Sequence, residues 1–236
     1  MSGLSIVIPI FNEKKNLFKL SDLIYRFVKN KNFELIYVDD NSADGTLDVL
    51  RKLKKKYKTL KFYIRKKKLR DLSKSCIMGF EKAQYSNILV MDGDLQHRPS
   101  EINKLYSNLI KYDCDIIVGS RELTHKRNEG LKIHRLISSI ILIYIVNLLL
   151  GFKTNDPMSG FFVFKKKIYT DVKRKLSSRG YKILLDLIYS QNKKIKIKDI
   201  FIKFKSREEG LSKMDSKIIY LLIKDILKKL FKFRFK

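Results

Sequence analysis

Cysteine is scarce. The 236-residue chain has two, Cys76 and Cys114, far apart in sequence and set in apolar-periodic stretches. There is no Cys-x-x-Cys pair, and the three histidines lack zinc-ligand spacing. Both facts argue against a disulfide scaffold or a structural zinc site and favour buried free thiols in a reducing setting. No internal repeat and no Pro/Gly/Ser-rich linker breaks the chain, so one sizeable domain with a few appended elements is expected. Acids are also few, 24 against 52 Lys and Arg, for a formal charge of +28. That balance suits an anionic partner: nucleic acid, an anionic membrane surface or a phosphorylated substrate. Long hydrophobic runs are missing too. The charge-free stretch 136–152 has seventeen residues between Arg135 and Lys153 and contains Ser138, Ser139 and Asn147. As a helix it reaches about 25 Å, short of the ~30 Å hydrocarbon core, so an interfacial or partly buried helix is expected. No basic leader precedes the first apolar run, so no signal peptide is expected.

What is present is an alternation of strand and helix patterns. Leu4–Ile10 reads as a buried strand. Leu17, Leu20, Leu23, Ile24 and Phe27 follow at helical spacing after Asn12. Strands are expected at 33–38, 60–64, 88–91 and 115–118, and helices after Asp44, over 72–83 and over 100–110. Asp44 is the expected cap of its helix. This order predicts an α/β fold with a mostly parallel sheet flanked by helices, whose ligands bind at the C-terminal strand ends. Residues 195–204 alternate Ile and Lys as an exposed or edge strand would. From Asp215, apolar residues recur among lysines as in a basic amphipathic helix, suited to an anionic bilayer or to packing on the domain. Residues 51–70 hold twelve Lys or Arg and no acid. No aromatic interleaving of the kind that stacks bases is evident there, so a solvated face is expected.

Chemistry is concentrated at the strand ends. Val90-Met91-Asp92-Gly93-Asp94-Leu95-Gln96 delivers two carboxylates, one residue apart, into a turn. If the chain stays extended, both acids face one side. With the Gln96 carbonyl they form a hard-oxygen set suited to Mg²⁺ or Mn²⁺. Such an ion would neutralise a diphosphate leaving group. Asp39 and Asp40 end the second strand and could accept from the ribose and base of a nucleotide, or could shape a helix-capping turn. Glu13 is a third acid at the same edge. His97 is read as a loop residue rather than a catalytic base.

These residues resemble glycosyltransferase family 2, in particular its dolichol-phosphate mannose synthase group. The resemblance runs through Ile8-Pro9-Ile10-Phe11-Asn12-Glu13, Val38-Asp39-Asp40-Asn41-Ser42-Ala43-Asp44-Gly45, Asp92-Gly93-Asp94-Leu95-Gln96-His97 and Gly119-Ser120-Arg121. It continues through Asp156-Pro157-Met158-Ser159-Gly160-Phe161-Phe162, Gly180-Tyr181-Lys182 and Ser206-Arg207-Glu208-Glu209-Gly210-Leu211-Ser212-Lys213. Two stretches depart from the family pattern. Phe11 stands where Tyr is frequent, and Leu69-Arg70-Asp71-Leu72-Ser73 stands where a Gly-rich GKxGLG stretch is frequent.

The resemblance implies a GT-A-type domain over 1–214, including an interfacial helix near 136–152, and a basic C-terminal helix over 215–236. It implies an inverting hexosyl transfer, mannose favoured, from a nucleotide-sugar to a polyprenyl or dolichyl phosphate at the cytoplasmic membrane face. GDP-mannose is the favoured donor, with UDP-glucose the alternative. Pro9, Phe11, Glu13, Val38, Asp39, Lys182 and Asp92, Gly93 and Asp94 would contact the donor. Asp92, Asp94 and Gln96 would hold Mg²⁺ or Mn²⁺. Arg207 and Lys213 would close over the diphosphate. Arg121, Arg135 and Ser139 would hold the acceptor phosphate. Membrane attachment would come from the apolar and amphipathic elements or from a membrane partner subunit. Two rivals stand beside this reading. One is a family 2 enzyme acting on a hydroxyl acceptor in cell-surface polysaccharide synthesis. The other, a nucleic-acid-binding module, rests on charge alone and gives the paired Asp turns no role, so no nucleic-acid partner is expected.

Overall fold

A strand that is apolar on both faces is stable only where both faces are covered. Leu4–Ile10 is such a strand. In a computed structural model, which describes residues 2–66, 69–121, 151–176 and 183–203, it forms β1, buried along its whole length. Around it lie β2 (Phe33–Asp39), β3 (Leu60–Ile64), β4 (Asn87–Val90), β5 (Ile116–Arg121), β6 (Phe162–Lys165) and β7 (Ile197–Ile202). They form one sheet in the order β3-β2-β1-β4-β6-β5-β7. All pairings are parallel except the two made by β6, which runs antiparallel between β4 and β5. Pro9 lacks an N–H, yet it costs the ladder little: β1 pairs with β4 only as far as Val7 with Val90.

Alternation along β1 divides the core between the two faces of the sheet. Leu4, Ile6, Ile8 and Ile10 pack with Leu17, Leu20 and Ile24 of α1 (Leu17–Phe27), Leu50 and Leu53 of α2 (Thr46–Lys56) and Leu105 and Leu109 of α4 (Ile102–Lys111). On the other face, Val7, Ile36, Val38 and Val90 pack with Cys76 and Phe80 of α3 (Leu72–Lys82) and with Leu184, Leu187 and Ile188 later in the chain. The short helix α5 (Lys167–Thr170) follows β6, and α6 (Ile183–Tyr189) carries those last three residues. Each fully buried aliphatic side chain contributes roughly 1.5–3 kcal/mol. Both cysteines are free and buried, as the sequence indicates.

Several local expectations need correction. The helix expected over 100–110 opens as a 3-10 turn, Pro99–Glu101, because proline fits a first turn whose N–H groups are unpaired anyway. Asp44 is not the cap of α2; that place belongs to Gly45, at φ +88. Asp44 instead accepts from Thr46, from its N–H at 3.0 Å and its Oγ1 at 2.6 Å. The strand expected at 115–118 runs on to Arg121, because β7 pairs with it as far as Arg121 with Ile202. The edge strand expected within 195–204 is β7, at the sheet margin. Of the apolar stretch 136–152, only Gly151 and Phe152 are described, and neither is helical. The rest of that stretch and the helix expected over 215–236 lie outside the described residues. Among the described residues, no helix is long and apolar enough to cross a membrane.

Gly79 brings α3 into direct contact with β1. A Cβ there would collide with Val7 Cγ1, in the fully buried core. Gly79→Ala is therefore expected to lower stability by about 1–3 kcal/mol, the usual cost of overpacking, despite the better helix propensity of alanine. Equilibrium urea unfolding checks this; an unchanged or raised midpoint would contradict it.

Candidate active site

The parallel strands bring their C-terminal ends to one edge. Ile10 pairs with Asp39, and Asp39 with Ile64, so the ends of β1, β2 and β3 are level. Two loops that follow are stitched together. The Asn12 N–H donates to Ser42 Oγ at 2.8 Å, and Asn12 Oδ1 accepts from the Ala43 N–H at 3.1 Å. Glu13 N–H donates to Thr46 Oγ1 at 3.2 Å, and Lys14 N–H to Asp44 Oδ2 at 3.1 Å. Asn12 and Asn41 both adopt left-handed backbone, at φ 54 and 63, which asparagine tolerates better than most residues. The sequence thus supplies the turn residues that each loop requires.

Asp39 is buried, and its carboxylate accepts from the Ser42 N–H and Oγ. Burial raises its pKa above the ordinary carboxylate value; the Ser42 bonds oppose this, and the neighbouring Asp44 and Asp40 add to it. For Asp44, burial also pushes upward, but hydrogen bonds from Thr46 and the Lys14 N–H outweigh it and leave the pKa lowered. Asp40 turns the other way and pairs with the buried Arg65. Asp40 Oδ2 also accepts from the Asp71 N–H at 2.7 Å, and Arg65 donates to the Leu69 carbonyl at 2.6 Å. The pair therefore folds residues 65–71 back toward the strand ends. Of the two roles the sequence allows Asp40, nucleotide acceptor or turn former, the structure shows the second, with Arg65 as its partner. Sequence reasoning did not single out Arg65; its position, one residue after β3 at the same edge, was the available signal.

The acidic turn follows β4. The strand ends at Val90, so alternation along an extended chain is not what arranges Asp92 and Asp94; a turn does, with Leu95 at φ 63. The Asp92 side chain is 39% exposed, whereas Asp94 is buried. Asp94 Oδ1 accepts from the Gln96 N–H at 3.2 Å. Gly93 lies against β1, with its Cβ position 2.9 Å from Ile10 Cγ2 and 3.6 Å from Glu13 Cγ. That places Glu13 next to the turn. His97 is buried and stacks on Phe161 with ring centroids 5.0 Å apart, and its Nδ1 lies 3.4 Å from the Asp92 N–H.

Because β6 is antiparallel, its entry meets the same edge, with Phe162 beside Val90 and Val118. Gly160 consequently backs onto Asp92: a Cβ there would sit 2.6 Å from Oδ2 and 2.9 Å from Oδ1. The approach is held by Ser159, whose Oγ donates to the Gly119 carbonyl at 2.7 Å, and by the Gly119 N–H, which donates to the Phe161 carbonyl at 2.8 Å. Further along, the Asp199 carboxylate on β7 accepts from Ser120 Oγ, Thr154 Oγ1 and both the N–H and Nδ2 of Asn155. Nothing in the sequence pattern pointed to Asp199.

Among the described residues, no three His, Cys, Asp or Glu side chains cluster as a metal cage. The donor set read from sequence is two carboxylates and an amide carbonyl, which leaves positions for diphosphate and water oxygens. That is how Mg²⁺ is ordinarily held. The glycine-walled Asp92 carboxylate and the buried Asp94 fit such a role. Pro9 and Val38 are level with one another near the ends of β1 and β2. Arg121 closes β5, and its side chain lies outside the described part. Arg135, Ser139, Lys182, Arg207 and Lys213 also lie outside the described residues.

Gly160→Ala is expected to displace Asp92 and weaken Mn²⁺ binding about tenfold or more, comparable with losing a support behind a metal ligand. Titration of Mn²⁺ by electron paramagnetic resonance in the presence of GDP checks this, with a thermal melt to establish folding. Unchanged Mn²⁺ affinity in a folded variant would contradict it.

Three comparisons bear on this edge. A family model described as Glycosyl transferase family 2 matches residues 5–173. The chain is 34% identical over 224 residues to a dolichol-phosphate mannosyltransferase of Pyrococcus furiosus, covering 94% of this chain and 62% of that protein. It is 30% identical over 244 residues to the Saccharomyces cerevisiae dolichol-phosphate mannosyltransferase, covering 98% and 88%. Among solved structures, it is similar to glucosyl-3-phosphoglycerate synthase from Mycobacterium tuberculosis in complex with Mn²⁺, UDP-glucose and phosphoglyceric acid. There the TM-score is 0.74 at 16% identity, over 97% of this chain and 80% of that one. This last likeness speaks to the fold, which is of the GT-A type. With a sheet of this topology and a family match over most of its length, the chain belongs to glycosyl transferase family 2.

Proposed function

We propose that this glycosyltransferase moves a hexose, mannose favoured, from a nucleotide-sugar to a polyprenyl phosphate at the cytoplasmic membrane face. The observation that carries the reading is the likeness, over 94–98% of this chain, to the dolichol-phosphate mannosyltransferases of Pyrococcus and yeast. The strand-end edge supports it chemically. The donor lies across the ends of β1 and β2, with Phe11, Glu13 and Asp39 at its nucleoside, and Asp92, Asp94 and Gln96 at its diphosphate. When bound there, Mg²⁺ or Mn²⁺ neutralises the charge that develops on the leaving diphosphate.

The acceptor argument comes from what the site offers as a base. A sugar hydroxyl needs a general base for attack, whereas a phosphate monoester is already anionic near neutral pH. His97, the histidine nearest the acidic turn in sequence, is buried under Phe161 rather than presented to an acceptor. A phosphate acceptor needs cations to hold it in line; Arg121 and Arg135 are assigned to that task, with the Ser139 hydroxyl as a further donor. Arg suits it because its planar fork donates two hydrogen bonds at once. A single in-line displacement inverts the anomeric carbon. The +28 charge, the apolar stretch 136–152 and the basic C-terminal segment support peripheral attachment to an anionic membrane.

Purified protein incubated with radiolabelled GDP-mannose, Mg²⁺ and polyprenyl phosphate should yield label that extracts into organic solvent. Asp94→Ala should reduce that yield about a hundredfold or more, because a metal Lewis acid supplies several kcal/mol of transition-state stabilisation. In a parallel incubation with a soluble glycan in place of the lipid, no label should be transferred; label that enters the glycan and not the lipid would replace this reading with the hydroxyl-acceptor one. A second outcome concerns pH. The raised pKa of Asp39 means that its carboxylate protonates at a higher pH than an ordinary aspartate, and only the ionised form accepts at both oxygens. Metal-free binding of guanosine, which carries no titrating phosphate, should therefore weaken as pH falls through that raised value, and Asp39→Asn should remove the dependence. A wild-type profile identical to that of Asp39→Asn would contradict the assignment.

A further inference from the structure

One motif remains without a role: Leu69-Arg70-Asp71-Leu72-Ser73, where the family pattern is Gly-rich. Its backbone is held by two anchors, the Arg65 bond to the Leu69 carbonyl and the Asp71 N–H bond to Asp40 Oδ2. Asp71 also caps α3, accepting from the Lys74 N–H at 3.1 Å. Between these anchors, Arg70 stands exposed, with its guanidinium carbon 4.1 Å from the centroid of the Phe11 ring. Phe11 immediately follows β1, at the edge where Asp39 ends β2. A glycine in place of Arg70 would remove this contact.

We propose that Arg70 is a further donor-binding residue, whose guanidinium, lying over the Phe11 ring, gives the nucleobase of the donor a cationic face to lie against. The inference rests on the reading of this edge as a nucleotide-sugar site. Two features favour a base over a phosphate as the group recognised. The contact partner is an aromatic ring, and a planar guanidinium on an aromatic ring extends one π surface into another. The loop is also fixed by a buried ion pair, with both side chains 5–8% exposed, so Arg70 is presented from a held backbone rather than from a free arm. A nucleobase has a π face whatever its identity, so stacking here adds affinity for purine and pyrimidine alike.

The test separates base from phosphate and plane from charge. Isothermal titration calorimetry would measure GMP, GDP and inorganic pyrophosphate binding to wild type, Arg70→Ala, Arg70→Lys and Phe11→Leu, with thermal melts as folding controls. The expected result is a loss of about fivefold or more for GMP and GDP alike in Arg70→Ala, with pyrophosphate unaffected. Arg70→Lys should recover little of it, because the charge returns without the plane. In the Phe11→Leu background, Arg70→Ala should have almost no further effect, because the stacked pair is already broken. Unchanged GMP binding in Arg70→Ala, a loss confined to GDP and pyrophosphate, full recovery by lysine, or additive effects with Phe11→Leu would each overturn the proposal. Wild-type protein that binds none of the three ligands would instead remove the donor-site reading on which the proposal depends.

Discussion

β6 runs against the direction of its neighbours, and the shape of the acidic turn depends on that reversal. A parallel strand between β4 and β5 would bring its end, not its entry, to the edge where ligands bind. Antiparallel, it brings residues 159–161 there, between the ends of β4 and β5. Gly160 then closes on the Asp92 carboxylate, and Phe161 closes on His97. The turn after β4 is thereby backed by main chain on one side and by a buried ring pair on the other. In the proposed reading, carboxylates held this way would be set before the donor arrives, which is where electrostatic stabilisation is gained without reorganisation.

The other half of the edge follows a different logic. There, neighbouring acids are sorted by partner. Asp39 is capped by Ser42, while Asp40 is committed to Arg65 and the Asp71 N–H. One carboxylate thus shapes a loop and the other is left level with the end of β1. Neighbouring residues at a strand end point to opposite sides, so the two carboxylates meet different partners. The buried pair costs desolvation, but breaking it by removing one member would cost more.

Much of this was legible in the sequence, for physical reasons. Strands β1 to β5 are short apolar runs closed by polar turns, and their alternation with helices dictates a sheet whose strand ends share an edge. Asp39, Asp92 and Asp94 stand at or just past those ends, so the edge they share follows from topology, while the turn after β4 sets how Asp92 and Asp94 are arranged. The unread parts are contacts between distant segments. Phe162–Lys165 is a short apolar run whose direction nothing local sets. Gly160 against Asp92, Arg70 over Phe11, and Asp199 against Ser120, Thr154 and Asn155 join residues that no period or spacing relates.

The account stands or falls on the turn after β4 being the place where a divalent cation meets the donor diphosphate. A crystal structure with GDP and Mn²⁺, with data collected at the manganese absorption edge, addresses this directly. The expected result is a single strong anomalous peak within coordination distance of Asp92 and Asp94 oxygens and of the diphosphate, with Gln96 in or next to the ligand set. Manganese elsewhere, or GDP bound with its diphosphate away from this turn, would contradict it.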